Sequence, residues 1–151
     1  MNTFSFVRSQ NFTKTLDEVF SFFAEPYNLE KITPRFLKFN ILTPLPIEMG
    51  NGTIIRYRLK LRGITVRWTS VISEWNPPYG FVDEQISGPY KFWRHEHIFE
   101  ENKTGTKVTD KVTYQLPGLF LAPMINKLYV ARDLKKIFDY RTEMMREILG
   151  L

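Results

Sequence analysis

Only one stretch of the chain, from about Leu121 to Leu149, keeps a helical period over more than a few turns. Its apolar residues, among them Leu128, Leu134, Ile137, Phe138 and Met145, recur at three- and four-residue steps, the spacing that places them on one face of a helix. Pro123 falls where a first turn accepts it, and Gly150 follows the last periodic residue, the ordinary asymmetry of helix ends. Almost everything before this stretch alternates in the two-residue period of strands. A sheet with one apolar face has to bury that face. The single long amphipathic helix is what the chain offers to cover it, so the expected fold class is α+β, a curved antiparallel sheet closed by a C-terminal helix.

Read in order, Thr3 to Phe12 predicts a first strand. Thr15-Leu16-Asp17-Glu18 then forms a capping box, with Leu16, Val19, Phe20 and Phe23 as the apolar face of a short helix. Glu25-Pro26 ends it, a second short helix runs to Ile32, and Thr33-Pro34 stops that one. Phe36 to Leu42 predicts another strand, followed by a loop rich in Pro and Gly. From Ile55 to Arg62 apolar and basic residues alternate strictly, and Gly63 turns the chain into a return strand reaching Trp75. Pairing Leu61 with Ile64 sets Tyr57 against Trp68 inside and Arg58 against Arg67 outside, a like-charge pair on a basic face. The last strand, Thr106 to Leu116, carries Val108, Asp110, Val112, Tyr114 and Leu116 on one side. Asp110 is the lone charge there.

The length, 151 residues with 43% hydrophobic and 25% charged, predicts one globular domain over 1–151. The absence of Cys rules out disulfides, thiolate zinc sites and thiol nucleophiles, and fits a reducing compartment. The opening residues lack a basic segment followed by an apolar run, which predicts a cytoplasmic location. A net charge of +5 permits peripheral contact with an anionic membrane. A nucleic-acid interface is not expected, because no aromatic groups interleave with the basic residues to stack on bases. There is no G-x-S-x-G elbow, phosphate loop or dinucleotide fingerprint.

Both histidines lie in Phe81 to Phe99, FVDEQISGPYKFWRHEHIF, where strand-like runs flank Gly88-Pro89 as a hairpin. Trp93, His95, His97 and Phe99 share one face of its second strand. If Glu101 pairs with Thr106 across the next turn, His97 stands opposite Asp110, His95 opposite Val112 and Trp93 opposite Tyr114. A carboxylate beside an imidazole fixes its tautomer and raises its pKa, which suits a general acid or base as well as a purely structural pair. The faces of Asp83 and Gln85 depend on the turn: a three-residue turn at Ser87–Pro89 puts them with Trp93 and His95, and a two-residue turn sends them outside. The three-residue turn gathers the polar residues and is the one expected. A metal held by His95, His97 and Asp110 is not expected, since the carboxylate would have to leave its histidine.

The run Asp83, Gln85, Gly88, Pro89, Tyr90, Trp93, His95, His97 and Phe99 resembles a bacterial D-x-Q-x-x-G-P-[FY]-x-x-W-x-H-x-H-x-F signature. It belongs to a branch of the START and Bet v 1 superfamily, also called the polyketide cyclase/dehydrase and lipid transport superfamily. The resemblance runs over the whole chain, with further matches at Ile32-Thr33-Pro34, Asp110, Tyr114 and Ile137 to Arg141. It implies a helix-grip fold of about seven strands with two short helices after the first, and an apolar cavity opening near those helices. Pattern alone reads the aromatic and Met content as packed core; the resemblance implies a partly hollow interior. The ligand-binding residues expected on this basis are Trp93, His95, His97, Phe99, Tyr57, Trp68, Asp110, Tyr114, Asp83, Gln85, Leu128 and Phe138. The function expected is non-enzymatic carriage or sensing of a hydrophobic small molecule such as a lipid, quinone or polyketide-like compound, without cofactor. A cyclase or dehydratase using His97 and Asp110 is the alternative, and an interaction module using the basic outer face a further one.

Overall fold

The computed structural model describes residues 2–150; Met1, which heads the opening segment, and Leu151 lie outside it. Seven antiparallel strands form one sheet: β1 (Phe4–Phe12), β2 (Asn40–Ile41), β3 (Ile54–Leu61), β4 (Ile64–Asn76), β5 (Gly80–Ser87), β6 (Phe92–Asn102) and β7 (Gly105–Gln115). Their spatial order is β1-β7-β6-β5-β4-β3-β2. Strands β2 to β7 therefore meander, and β1 returns to pair with β7 from Phe4 opposite Tyr114 to Phe12 opposite Thr106. Register irregularities at Thr69/Ser70 and Ile72/Glu74 interrupt the β4–β5 ladder, and bulges of this kind bend a strand and raise its twist.

Local chemistry sets most boundaries. The β3–β4 hairpin pairs Leu61 with Ile64 and Tyr57 with Trp68, because Arg62 and Gly63 both take positive φ, 49° and 82°, as a two-residue turn matched to strand twist requires. Arg58 does oppose Arg67. Both are exposed, so water screens them. Helix α1 (Leu16–Ala24) is capped as its sequence predicts: Thr15 Oγ1 accepts from the Glu18 N–H, and Glu18 accepts from the Thr15 N–H. Helix α2 (Tyr27–Lys31) follows. The expected strand over Phe36 to Leu42 shrinks to β2, since Pro34 starts a 3₁₀ turn over Arg35–Leu37 that ends on Lys38 at φ 46°. That turn consumes residues a strand would have used.

The C-terminal helical stretch is not one regular helix. It consists of a 3₁₀ turn at Leu119–Leu121, α3 (Ala122–Ile125), a π turn at Asn126–Val130, and α4 (Ala131–Leu149). The Tyr114 hydroxyl donates to the Asn126 side chain at the start of the π turn. A π turn holds one more residue than an α turn, so residues before it are out of phase with α4. Leu134, Phe138, Arg141, Met145 and Leu149 form the buried stripe of α4. Two core clusters meet beneath it. Phe12, Val19, Phe20, Phe23, Phe99, Val108 and Met145 pack at the α1 end, and Val112, Tyr114, Leu116, Leu134 and Phe138 at the other.

Two glycines isolate the effect of crowding from that of backbone conformation. Gly63 has open space around its missing Cβ, whereas a Cβ on Gly105, at φ 151°, would run into the Phe12 carbonyl and the Thr13 backbone. Gly63→Ala should cost only the positive-φ penalty, about 1 kcal/mol. Gly105→Ala should cost about 3 kcal/mol, because β1 would also have to move. Urea denaturation of the two variants checks the difference, and equal losses would contradict the close approach of β1 to the β6–β7 turn.

Candidate functional site

Strand register brings the polar residues together. Asp83 stands opposite His95 and Phe81 opposite His97 across β5–β6, while His95 stands opposite Val112 and His97 opposite Asp110 across β6–β7. Asp83, His95, His97 and Asp110 thus project from the concave face of three adjacent strands, and Arg141 reaches them from α4. His95 and His97 stack with ring centroids 3.8 Å apart. His97 stacks in turn on Phe81 at 4.0 Å, and His95 meets Phe138 edge-on. The imidazole pair sits at the seam between the two core clusters.

The hydrogen bonds run diagonally across this register. His95 Nε2 bonds Asp110 Oδ1 at 2.8 Å, and His97 Nε2 bonds Asp83 Oδ2 at 2.6 Å. The expected His97–Asp110 contact is only a 3.4 Å approach of Nδ1 to Oδ1, which leaves His97 Nδ1 without a hydrogen-bond partner. The register expected from sequence is present, yet ring stacking turns each imidazole toward a different carboxylate. Arg141 completes the group, with a guanidinium nitrogen 3.6 Å from Asp110 Oδ1.

The hairpin resolves the question of Asp83 and Gln85. Pairing of Asp83 with His95 and Glu84 with Arg94 makes the connection longer than three residues, with the parity that sends Asp83 inward. Gln85 does not face a ligand: its amide donates to the Tyr90 carbonyl and accepts from the Tyr90 N–H, at 2.7 and 3.1 Å. Gly88 lies against that amide so closely that a Cβ would stand 2.6 Å from Gln85 Oε1. Gln85 and Gly88 therefore build the loop, while Asp83 and the histidines build the wall. On the convex side Arg94 approaches Glu84, Glu96 and Glu74 at 3.6 to 3.9 Å, an exposed network worth little.

Burial pulls in one direction and partners in the other. Burial alone would raise Asp110, but the Arg141 charge, the His95 hydrogen bond and the close approach of His97 hold it well below the usual carboxylate range. Asp83 behaves alike: burial pushes it up, and His97, His95 and Arg141 outweigh this and lower it. His95 is lowered, chiefly by burial and then by the His97 charge, despite Asp110 and Asp83. His97 is raised, because its contacts with Asp110 and Asp83 overcome burial. The two carboxylates are thus held ionised beside the Arg141 guanidinium, and of the two imidazoles His97 is the stronger base.

Beside this group lies a cavity of about 210 Å³, walled by aromatic and aliphatic side chains. Of the expected ligand-binding residues, Trp93, His95, His97, Tyr57, Trp68, Asp83 and Phe138 line it. Five do not. Phe99 packs into the α1 cluster, and Tyr114 packs under α3–α4 with its hydroxyl on Asn126. Asp110 lies behind His95, and Gln85 serves the loop. Leu128 is exposed, since the π turn rotates it off the phase of α4. Sequence reasoning missed Arg141, Ser70, Phe23 and Ile137, which do line the cavity. Arg141 had a legible signal, a charge on the apolar stripe four residues before Met145 and three after Phe138. In the wall Ser70 Oγ accepts from Trp68 Nε1–H at 3.0 Å and lies 3.1 Å from the Tyr57 hydroxyl. The lining reaches the surface at Glu25 and Asn28, beside α1 and α2.

Asp83, His95 and His97 hold ligand atoms within 4.8 Å of one another. The Arg141 charge nearby opposes a cation among them.

A seven-stranded antiparallel sheet gripping a C-terminal helix, with a cavity between them, is the Bet v 1-like helix-grip fold. Among solved structures, the chain is similar to major latex-like protein 151 of Panax ginseng (TM-score 0.70, 12% identity, 97% of each chain covered). It is also similar to Ara h 8.0201 (0.68, 14%, 98% of each chain). A third similar structure comes from Thermus thermophilus (0.68, 18%, 97% of this chain and 95% of that one). No family model and no curated protein matches the chain in sequence.

Linkage of these protonation states to folding gives two tests. Asp110→Asn should cost about 3–5 kcal/mol, because it leaves Arg141 and His97 in excess inside the fold. His97, raised, contributes stability that is complete below about pH 6.5 and lost as pH rises through its folded value. Asp83 and Asp110, lowered, contribute above about pH 3.9 and lose that contribution in acid; His95, lowered, adds to the acid loss. Thermal melting from pH 4 to 9 should fall on both sides of neutrality, and His97→Gln should flatten the alkaline side while also shifting the acid side, since His97 helps to lower Asp83 and Asp110. An unchanged alkaline slope in that variant would mean that His97 is not charged beside Asp83 and Asp110.

Proposed function

We propose that the protein holds a compact hydrophobic small molecule in the cavity between sheet and helix, as a carrier or sensor. The observation that carries this reading is the cavity itself, about 210 Å³ with an apolar wall broken by one polar cluster. That exceeds the ~150 Å³ that accommodates a benzene in an otherwise packed core, and lies below the ~300 Å³ where pockets for drug-sized ligands begin. One or two fused rings suit this space, with any tail leaving past Glu25 and Asn28. The signature from Asp83 to Phe99 supports placing the chain with the bacterial branch that carries it. Its cysteine-free sequence supports a cytoplasmic location.

A second reading, proton transfer on the bound molecule in the manner of a cyclase or dehydratase, has one observation in its favour. His95 and His97 stack in the cavity wall with pKa values shifted in opposite directions, which sets a weaker base beside a stronger one, the division that acid–base chemistry uses. Under this reading His97→Gln abolishes turnover of a ligand that it still binds.

Trp68 and Trp93 meet edge to face in the lining, with ring centroids 5.2 Å apart, so an occupant should change their fluorescence. Titration with naphthalene- and quinone-sized probes should give saturable, one-to-one binding. Leu59→Trp, which fills the space from β3, should abolish it while the far-ultraviolet spectrum stays native. A folded protein that binds no member of an alkyl, naphthalene and quinone panel, and that carries no small molecule in native mass spectrometry, would refute the reading.

A further inference from the structure

Arg141 is the least satisfied charged group in the interior. It is 7% exposed and lines the cavity. Its guanidinium lies 5.5 Å from the ring centres of both Phe23 and Phe138. The Asp110 oxygen beside it, at 3.6 Å, is beyond hydrogen-bond distance, and its buried Nε has no acceptor among the described residues. A guanidinium carries five N–H donors, and leaving a buried donor unmatched is costly. His97 Nδ1, buried in the same wall and disposed around the same Asp110 oxygen, is also without a partner.

Several other polar groups of the wall are matched. Trp68 Nε1, Ser70 and Tyr57 satisfy one another, Asn28 donates to the Phe22 carbonyl, and Thr33 donates to the Leu29 carbonyl. The wall atoms that are both fully buried and unmatched among the described residues, Arg141 Nε and His97 Nδ1, are nitrogens on the Asp110 side of the cavity. We propose that Arg141, with His97 Nδ1 beside it, holds a neutral carbonyl oxygen of the bound molecule, so that the ligand is a compact cyclic ketone or quinone. This rests on the cavity being a ligand site. Two carboxylates, Asp83 and Asp110, already stand against Arg141 and its imidazole neighbours. An ionised carboxylate would therefore bring a net negative charge into an apolar interior, while a cationic head would face the guanidinium. A neutral carbonyl accepts from the nitrogens and leaves the balance intact.

The experiment compares matched bicyclic probes by calorimetry and tryptophan fluorescence: tetralin, 1-tetralone, 1-tetralol and ionised 1-naphthoate. Wild-type protein should bind 1-tetralone at least tenfold more tightly than tetralin, and more tightly than the alcohol or the carboxylate. Arg141→Met should erase the ketone advantage, read as the ratio of tetralone to tetralin affinity within each variant, and Arg141→Lys, which keeps the charge without the fork, should retain only part of it. Equal affinity of wild-type protein for tetralin and tetralone overturns the inference while the cavity reading stands. Preference for the alcohol or for naphthoate overturns the neutral-carbonyl assignment. Binding of none of the four overturns both. The wild-type comparison decides the matter even if Arg141→Met proves unstable.

Discussion

Asp110 is the residue on which the interior depends. One of its carboxylate oxygens accepts from His95 and stands within 3.4 Å of His97 and 3.6 Å of Arg141. It thereby ties β7 to β6 and both to α4. An isolated carboxylate in such a place would be untenable, since the cost of removing it from water exceeds what packing returns. Three nitrogen groups around one oxygen make it possible. Asp83 repeats the arrangement on a smaller scale from β5, so that charges of alternating sign run from the centre of the sheet to the helix.

The cluster also explains why the interior is hollow on one side. Phe, Val and Leu fill the two core clusters at either end of α4, but a guanidinium and two imidazoles cannot be packed against aliphatic groups without leaving donors unmatched. The aromatic residues nearest them, Phe81, Phe138 and Phe23, present ring faces to the cations or stack on the imidazoles. Such contacts are worth about 0.5–2 kcal/mol and do not replace hydrogen bonds.

Much of this was legible residue by residue. The Arg62-Gly63 turn set the β3–β4 register, and the capping box at Thr15 and Glu18 set the start of α1. Alternation alone placed His97 opposite Asp110. Each of these is a local interaction or follows from the two-residue period of a strand. The expectations that failed depended on phase or on side-chain direction. Leu128 was assigned inward by extending the α4 period back through a π turn that no local residue pattern announces. Phe99, Tyr114 and Gln85 lie on the right strands, and on faces that alternation allows, but their side chains are claimed by α1, Asn126 and Tyr90.

By itself, then, the chain determined most of its elements, the meander from β3 to β7, the inward face of the histidines and the need for a C-terminal helix to cover them. The tertiary structure decided the rest: that β1 closes on β7, that stacking sends His95 to Asp110 and His97 to Asp83, and that Arg141 enters beside them. The division has a physical cause. Periodicity fixes which face a side chain occupies, because backbone geometry is the same everywhere in a strand. Which neighbour that side chain reaches is settled only when β5, β6, β7 and α4 are packed together and the cost of every unmatched charge is shared among them.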